Sequence, residues 1–138
     1  MILQTDSRLR EEIQTDGCYY MSILFLVNKY TGLKMSAEFI DSVFDVLVAL
    51  GYMSEQCYVL DPEEMFRHLG LRVKYTDQHE SPSKVCNPGQ IEILYFRGPE
   101  GGHFTAGNGT GIVTYDPWGV SRAVSEGKLI SKRIFRRI

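Results

Sequence analysis

The first half of the chain carries apolar residues at helical intervals. Residues 17–31 are apolar or aromatic at almost every position, and the run is too long for a typical strand. Gly32 follows, and glycine commonly ends a helix because it adopts the left-handed conformation without steric cost. The pattern predicts a central, buried helix. The mostly polar residues 1–16 are expected to form a short helix or an N-terminal arm.

Two further helices are predicted before the middle of the chain. Residues 37–50 carry apolar side chains three and four positions apart, and Ser36 precedes them as a capping residue. Asp61 and Pro62 have the form of a helix start, with an aspartate cap and a proline in the first turn. This third helix is expected to end at Gly70.

The second half of the chain predicts strands. Apolar and polar residues alternate, or short apolar runs lie between turn residues. Residues 77–90 are expected to form a loop, and residues 108–111 a hairpin turn. The predicted strands are 71–76, 91–96, 103–107, 112–116 and 129–138. Because helices come first and a mostly antiparallel sheet follows, the fold class is predicted to be α+β.

Length and charge narrow the classes of function. The 138 residues, 43% of them hydrophobic, suit one domain over residues 1–138. A formal net charge of −2 argues against a nucleic-acid binder, which would need a basic surface. Basic residues do cluster near the C-terminus, where they are expected to form the solvated face of the last strand. They are Lys128, Lys132, Arg133, Arg136 and Arg137.

The three cysteines favour neither a disulfide framework nor a zinc site. Their number is odd and no two have the spacing of a metal-binding pair. The further candidates Cys57, His68, His79 and Cys86 match no closed zinc pattern, and no cofactor is expected. No apolar run is long enough to span a bilayer, and the N-terminus does not have the pattern of a secretory signal. The protein is therefore expected to be cytoplasmic, without membrane contact.

Two residues are candidates for chemistry. Cys18 stands at the start of the buried helix, where the positive end of the helix dipole favours the nucleophilic thiolate. Cysteine in such a place is also often a small buried core residue. His103 follows Gly101 and Gly102 at the start of a strand, and glycines there allow a substrate to approach closely. A histidine at a strand start is otherwise an ordinary surface residue.

Hairpin geometry predicts a partner for the histidine. If the turn is centred between Gly109 and Thr110, His103 faces Asp116 on the neighbouring strand. Residues opposite each other across antiparallel strands lie about 5 Å apart, so the carboxylate can reach the imidazole. A carboxylate in that place would orient the histidine, as the third member of a catalytic triad does. Asp116 and Pro117 are also ordinary turn residues, and both interpretations can hold together.

At these residues the chain resembles the papain-like cysteine peptidases, and among them the C39-type peptidases. In that family a glutamine precedes a cysteine that opens a long apolar helix, and histidine and aspartate follow on neighbouring strands. The corresponding residues here are Gln14, Cys18, His103 and Asp116. The order of helices also resembles that family over residues 14–118. The resemblance implies a papain-like fold with N-terminal helices packed on a C-terminal sheet.

The resemblance also implies an activity. A cysteine peptidase or amidase would cleave an amide through an acyl-enzyme, with Gln14 and the Cys18 amide N–H as oxyanion donors. The substrate would be a peptide, an isopeptide or a peptidoglycan cross-bridge. Two features depart from the family. Tyr19 follows the cysteine where a glycine is usual, and the glutamine lies closer to the cysteine than usual. They leave open a catalytically inactive papain-like domain, phage or mobile-element encoded, that serves binding or assembly. A thiol transferase is a third possibility.

Overall fold

The computed structural model describes residues 1–138 as five helices and five strands. The helices are α1 (Glu11–Asp16), α2 (Cys18–Thr31), α3 (Ala37–Ala49), α4 (Pro62–His68) and α5 (Arg122–Ser125). The strands are β1 (Val73–Glu80), β2 (Gln90–Gly98), β3 (Gly101–Gly107), β4 (Val113–Tyr115) and β5 (Lys128–Arg137). None of the helices is both long enough and apolar enough to cross a membrane.

All strands join one antiparallel sheet in the order β1-β5-β2-β3-β4. The last strand of the chain thus lies between β1 and β2. The predicted α+β class with an antiparallel sheet is confirmed. Four helices precede the sheet as expected, whereas α5, which was not predicted, lies between β4 and β5. Strand β1 reaches Glu80, three residues beyond the start of the loop expected over residues 77–90. The last residues of β1 pair irregularly with β5. Irregular pairing does not require a strict alternation of apolar and polar residues, so the sequence pattern did not predict this part of the strand.

Helix α2 is the centre of the fold, as its apolar sequence predicts. Its middle residues are almost completely buried, and Gly32 ends it in the left-handed conformation, with a φ of 75°. The side chain of Phe25 stacks on Tyr115 of β4, with ring centroids 4.8 Å apart. The hydroxyl of Tyr20 donates to the carbonyl of Ile40 in α3. These contacts fix α2 between the sheet and α3.

The caps predicted for α3 and α4 are confirmed. The hydroxyl of Ser36 accepts from the amide of Phe39, and the carboxylate of Asp61 accepts from the amide of Glu64. Each cap satisfies an amide group that the helix itself leaves unpaired, which stabilises the helix start by about 1 kcal/mol.

The N-terminal segment is part of the core. Gln4 and Leu9 are buried, and residues 11–16 form α1. The amide of Gln4 donates to the carbonyl of Pro117, and the Tyr115 hydroxyl donates to the carbonyl of Ile2. The expected arm or short helix is therefore a helix with a preceding segment attached to the end of β4.

The basic residues near the C-terminus do not all lie on a solvated face. Lys132 is completely buried and pairs with Glu92 of β2 at 2.9 Å. The expectation for Lys132 was wrong because a carboxylate on the neighbouring strand compensates its charge inside the protein. Arg136 and Arg137 are exposed as expected.

Candidate functional site

Cys18, His103 and Asp116 come from three parts of the fold and lie near one another, and Cys18 lines a cleft. Cys18 is the first residue of α2, His103 lies on β3, and Asp116 directly follows β4. Helix α2 packs against β3, where the rings of Tyr19 and Phe104 lie 4.4 Å apart. Each of these aromatic residues directly follows a candidate catalytic residue, so their contact holds the cysteine and the histidine segments together.

The imidazole of His103 is held on one side by Asp116. Its Nε2 lies 2.7 Å from Oδ1 of the carboxylate, and both side chains are almost completely buried. The carboxylate in turn accepts from the amide of Trp118 and from the hydroxyl of Ser121. The indole of Trp118 stacks on the imidazole, with ring centroids 4.4 Å apart. These contacts fix both the position and the plane of the ring.

The pairing of His103 with Asp116 agrees with the sequence prediction, but the hairpin register does not. Ala106 pairs with Tyr115, two positions from the partner that a turn centred on residues 109 and 110 would give it. Two features cause the shift. The loop is longer than two residues, since the amide of Asn108 donates to the carbonyl of Ile112, and the ladder of β3 and β4 is irregular between Ala106 and Gly107.

The second nitrogen of the imidazole faces a different environment. Nδ1 is buried and has no hydrogen-bond partner. Burial disfavours the charged ring, but the interactions with Asp116 and with the Cys18 thiol outweigh it and raise the pKa of His103 to about 9. The thiol thus lies close to the ring, although the two do not form a geometrically complete hydrogen bond. Nucleophile and base are often more loosely arranged before a substrate binds.

Asp116 is held in its charged form. Burial acts to raise its pKa, but the hydrogen bonds from His103, Ser121 and the Trp118 amide outweigh burial and lower the pKa. A carboxylate that is stable in this form favours the imidazolium of His103 by direct electrostatic attraction.

The start of α2 leaves hydrogen-bond donors free beside the thiol. Gly17 precedes the helix, and the amide groups of Cys18 and Tyr19 donate to no backbone carbonyl. Free amide groups at a helix start carry partial positive charge and attract anions. Gln14, by contrast, is not brought to the cleft. Its side-chain amide donates to the carbonyl of Leu9 at 2.6 Å, because α1 turns this residue back towards the N-terminal segment.

The cleft above these residues has a volume of about 740 Å³. Its lining includes Cys18, Tyr19 and Trp118 from the site itself, and aromatic residues of the sheet. This volume lies within the range of about 300–1,000 Å³ that is typical of ligand-binding clefts. Sequence reasoning missed the stacking role of Trp118 and the support from Ser121. Their closeness to Asp116 in the chain was the only available signal.

The other two cysteines have different surroundings. Cys57 is buried in a turn with a φ of 68°, and burial raises its pKa strongly. Cys86 is half-buried beside Glu92, and burial together with that carboxylate raises its pKa to about 11. No group of three or more histidine, cysteine, aspartate or glutamate residues is arranged to hold a metal ion.

The fold and the site define a mixed α+β protein in which a five-stranded antiparallel sheet and a central helix bring a cysteine to a buried histidine–aspartate pair. The family model described as "Protein of unknown function, DUF261" matches residues 1–137, and the chain belongs to this family. No curated protein and no solved structure matches the chain.

Proposed function

We propose that this protein is a papain-like thiol hydrolase, similar to the C39-type peptidases, that cleaves an amide bond through an acyl-enzyme. The arrangement of the His103 ring carries the proposal. Because Nε2 is bound to Asp116, Nδ1 is the nitrogen left for Cys18. In this arrangement Cys18 would be the nucleophile, His103 the base, and Asp116 the carboxylate that orients the base. This is the order of groups in a catalytic triad.

Before the substrate reacts, the proton of the Cys18 thiol has passed to Nδ1 of His103, so the resting site holds a thiolate beside an imidazolium, whose pKa of about 9 keeps the ring charged at neutral pH. The thiolate attacks the carbonyl carbon of the substrate, and the oxygen of that carbonyl takes the negative charge. His103 then gives its proton to the leaving nitrogen, so the amine departs and a thioester remains on Cys18. A water molecule, deprotonated by His103, attacks the thioester and releases the acid and the free thiol.

The start of α2 supports the charged steps of this mechanism. The free amide groups of Cys18 and Tyr19 are donors for the negative oxygen of the tetrahedral intermediate. The same helix end favours the thiolate over the thiol. Asp116 and Trp118 keep the imidazole in one plane, so the base loses little conformational entropy when the substrate binds. The substrate is a peptide, an isopeptide or a peptidoglycan-type amide.

Tyr19 favours one alternative, a papain-like domain that binds a partner without cleaving it. Its ring packs against Phe104 and lines the cleft beside the cysteine. A side chain of this size beside the nucleophile restricts the approach of a carbonyl group. In that case the aromatic cleft would serve binding or assembly alone.

Alkylation by iodoacetamide, followed by peptide mass spectrometry, separates the two functions. We expect Cys18 to react at near-neutral pH at least ten times faster than Cys86, which is mostly protonated there because its pKa is about 11. His103→Ala should slow Cys18 to the rate of an ordinary thiol. His103→Asn, which keeps a polar group of similar size, tests the same step if the alanine variant does not fold. Equal rates for Cys18 and Cys86, or no effect of either variant, would contradict a hydrolase.

A further inference from the structure

One wall of the cleft holds an arginine that has no acidic partner. Arg133 of β5 is half-buried, and its guanidinium lies 5.2 Å from the ring centroid of Tyr95 and 5.0 Å from that of Phe104. It lines the same cleft as Cys18. Phe104 is also the ring on which Tyr19 packs, so a single aromatic side chain separates the guanidinium from the segment that carries the nucleophile.

The charge of Arg133 is not neutralised within the protein. It takes part in none of the salt bridges of the molecule. Its hydrogen bond goes to the hydroxyl of Ser131, a neutral group. Two carboxylates line the same cleft. That of Asp61 caps α4, and that of Asp16 forms no salt bridge with Arg133. Half-buried arginines normally pair with a carboxylate, because partial loss of solvent makes an unpaired charge costly.

Two tyrosine hydroxyls add donors at the same place. Tyr19 and Tyr75 both line the cleft, and the Tyr19 hydroxyl is buried without a well-formed hydrogen bond. Burial and the neighbouring Tyr75 raise the pKa of Tyr19, so its hydroxyl keeps its proton and can donate it in a hydrogen bond. The ring of Tyr75 is held by stacking on Phe135, with centroids 4.4 Å apart. The hydroxyls of Tyr19 and Tyr75 and the guanidinium of Arg133 thus line the same cleft.

We propose that Arg133, with the hydroxyls of Tyr19 and Tyr75, binds a carboxylate of the substrate and selects peptides that carry one near the scissile bond. The inference rests on the proposed function, because it takes the cleft beside Cys18 as the substrate site. The carboxylate comes from an acidic side chain or from the C-terminus of the peptide. A planar guanidinium binds either of them through two parallel hydrogen bonds. Arg133 determines specificity and takes no part in the chemistry.

Peptide binding to the full chain with Cys18→Ala tests this inference without requiring cleavage. The probes are three pools of fluorescein-labelled hexapeptides, measured by fluorescence anisotropy. One pool has a fixed glutamate and an amidated C-terminus, the second a glutamine and an amidated C-terminus, and the third a glutamine and a free C-terminus. We expect one of the two carboxylate pools to bind about tenfold more tightly than the neutral pool, which equals about 1.4 kcal/mol. The pool that does so identifies the source of the carboxylate.

Arg133→Gln in the same background should abolish the preference, and Arg133→Lys should keep part of it. Arg136→Gln, an exposed arginine on the same strand, makes the same change of charge outside the cleft and should leave the preference intact. Three results would overturn the inference: equal binding of all three pools, no binding of any pool, or a preference that survives Arg133→Gln. A preference in a protein whose Cys18 is unreactive would instead contradict the hydrolase and leave the binding role of Arg133 standing.

Discussion

At the scale of single residues, the buried pair of His103 and Asp116 links the candidate site to the stability of the protein. The pKa of His103 rises from 6.5 to about 9 on folding. A raised pKa means that the folded protein binds the proton more tightly than the unfolded chain. The stabilisation is therefore complete below pH 6.5 and is lost as the pH rises towards 9.

This linkage predicts a pH-dependent free energy of unfolding. Between a pH below 6.5 and a pH above 9, the protein should lose about 1–3 kcal/mol through His103. Asp116→Asn should flatten this dependence, because the partner that raises the pKa is gone. Urea unfolding at both pH values measures the difference. Glu38→Gln, at an exposed carboxylate on α3, serves as the control. An unchanged slope in Asp116→Asn would show that the pair does not hold the proton.

Lys132 of β5 and Glu92 of β2 form a second buried pair. Glu92 also accepts from the amides of Gly109 and Gly111, and Lys132 donates to the carbonyl of Lys84. The pair therefore fastens two loops to the sheet. Lys132→Met should reduce the free energy of unfolding by about 3–5 kcal/mol, because it leaves the carboxylate buried without its cation. Lys128→Met, at an exposed position, should reduce the free energy of unfolding much less, as measured by urea denaturation. Equal reductions in the two variants would contradict the role of the pair.

At the scale of elements, Gly17 sets the distance between α1 and the start of α2. A Cβ atom at this position would clash with the carbonyl oxygen of Ile13, to which the Gly17 amide donates. The neighbouring helix therefore approaches too closely for any other residue. This contact fixes the place of Cys18, the next residue in the chain.

Gly17→Ala should separate the two helices and move Cys18 away from His103. We expect a loss of stability of about 1–3 kcal/mol and a slower alkylation of Cys18. Glu11→Gln, an exposed substitution in α1 outside the cleft, should change neither the urea midpoint nor the alkylation rate. If Gly17→Ala lowers stability but leaves the reactivity of Cys18 unchanged, the helix spacing does not position the thiol.

The elements also differ in how far the sequence predicts them. Helices α2, α3 and α4 have caps and apolar spacing that act locally, so their bounds follow from nearby residues. The register of β3 and β4 depends on the loop 108–112, and the loop's conformation depends on Glu92, far away in the chain. The order of strands places β5 next to β1 and β2 through long-range contacts that no local pattern records.

The candidate site follows the same division. Cys18 is predictable from the helix start. The hairpin predicts only that Asp116 comes near His103, because the register that it suggests differs from the one in the structure. The unpaired state of Arg133 depends on which carboxylates the fold brings near it, so the basic pattern of β5 alone predicts only a charged strand. Gln14 has the sequence position of an oxyanion donor, but the turn of α1 directs its amide to Leu9.

At the scale of the whole molecule, one large apolar core includes residues from the N-terminal segment to β5. The N-terminal segment is attached to β4 and to Pro117, so both ends of the chain belong to one packed unit. We expect a single cooperative transition on heating, with equal calorimetric and van't Hoff enthalpies. Tyr115→Phe, which removes the hydrogen bond to Ile2, should lower the stability by about 1 kcal/mol without splitting the transition. Two separate transitions in the unaltered protein would contradict a single core.

The central claim is that Cys18 forms an acyl-enzyme that His103 helps to hydrolyse. Incubation with p-nitrophenyl acetate, followed by intact mass and peptide mapping over time, tests it most directly. We expect a burst of p-nitrophenol, one acetyl group on Cys18, and loss of that group faster in the unaltered protein than in Asp116→Asn. An acetyl group that never appears on Cys18, or one that stays there permanently in both proteins, would rule out this acyl-enzyme.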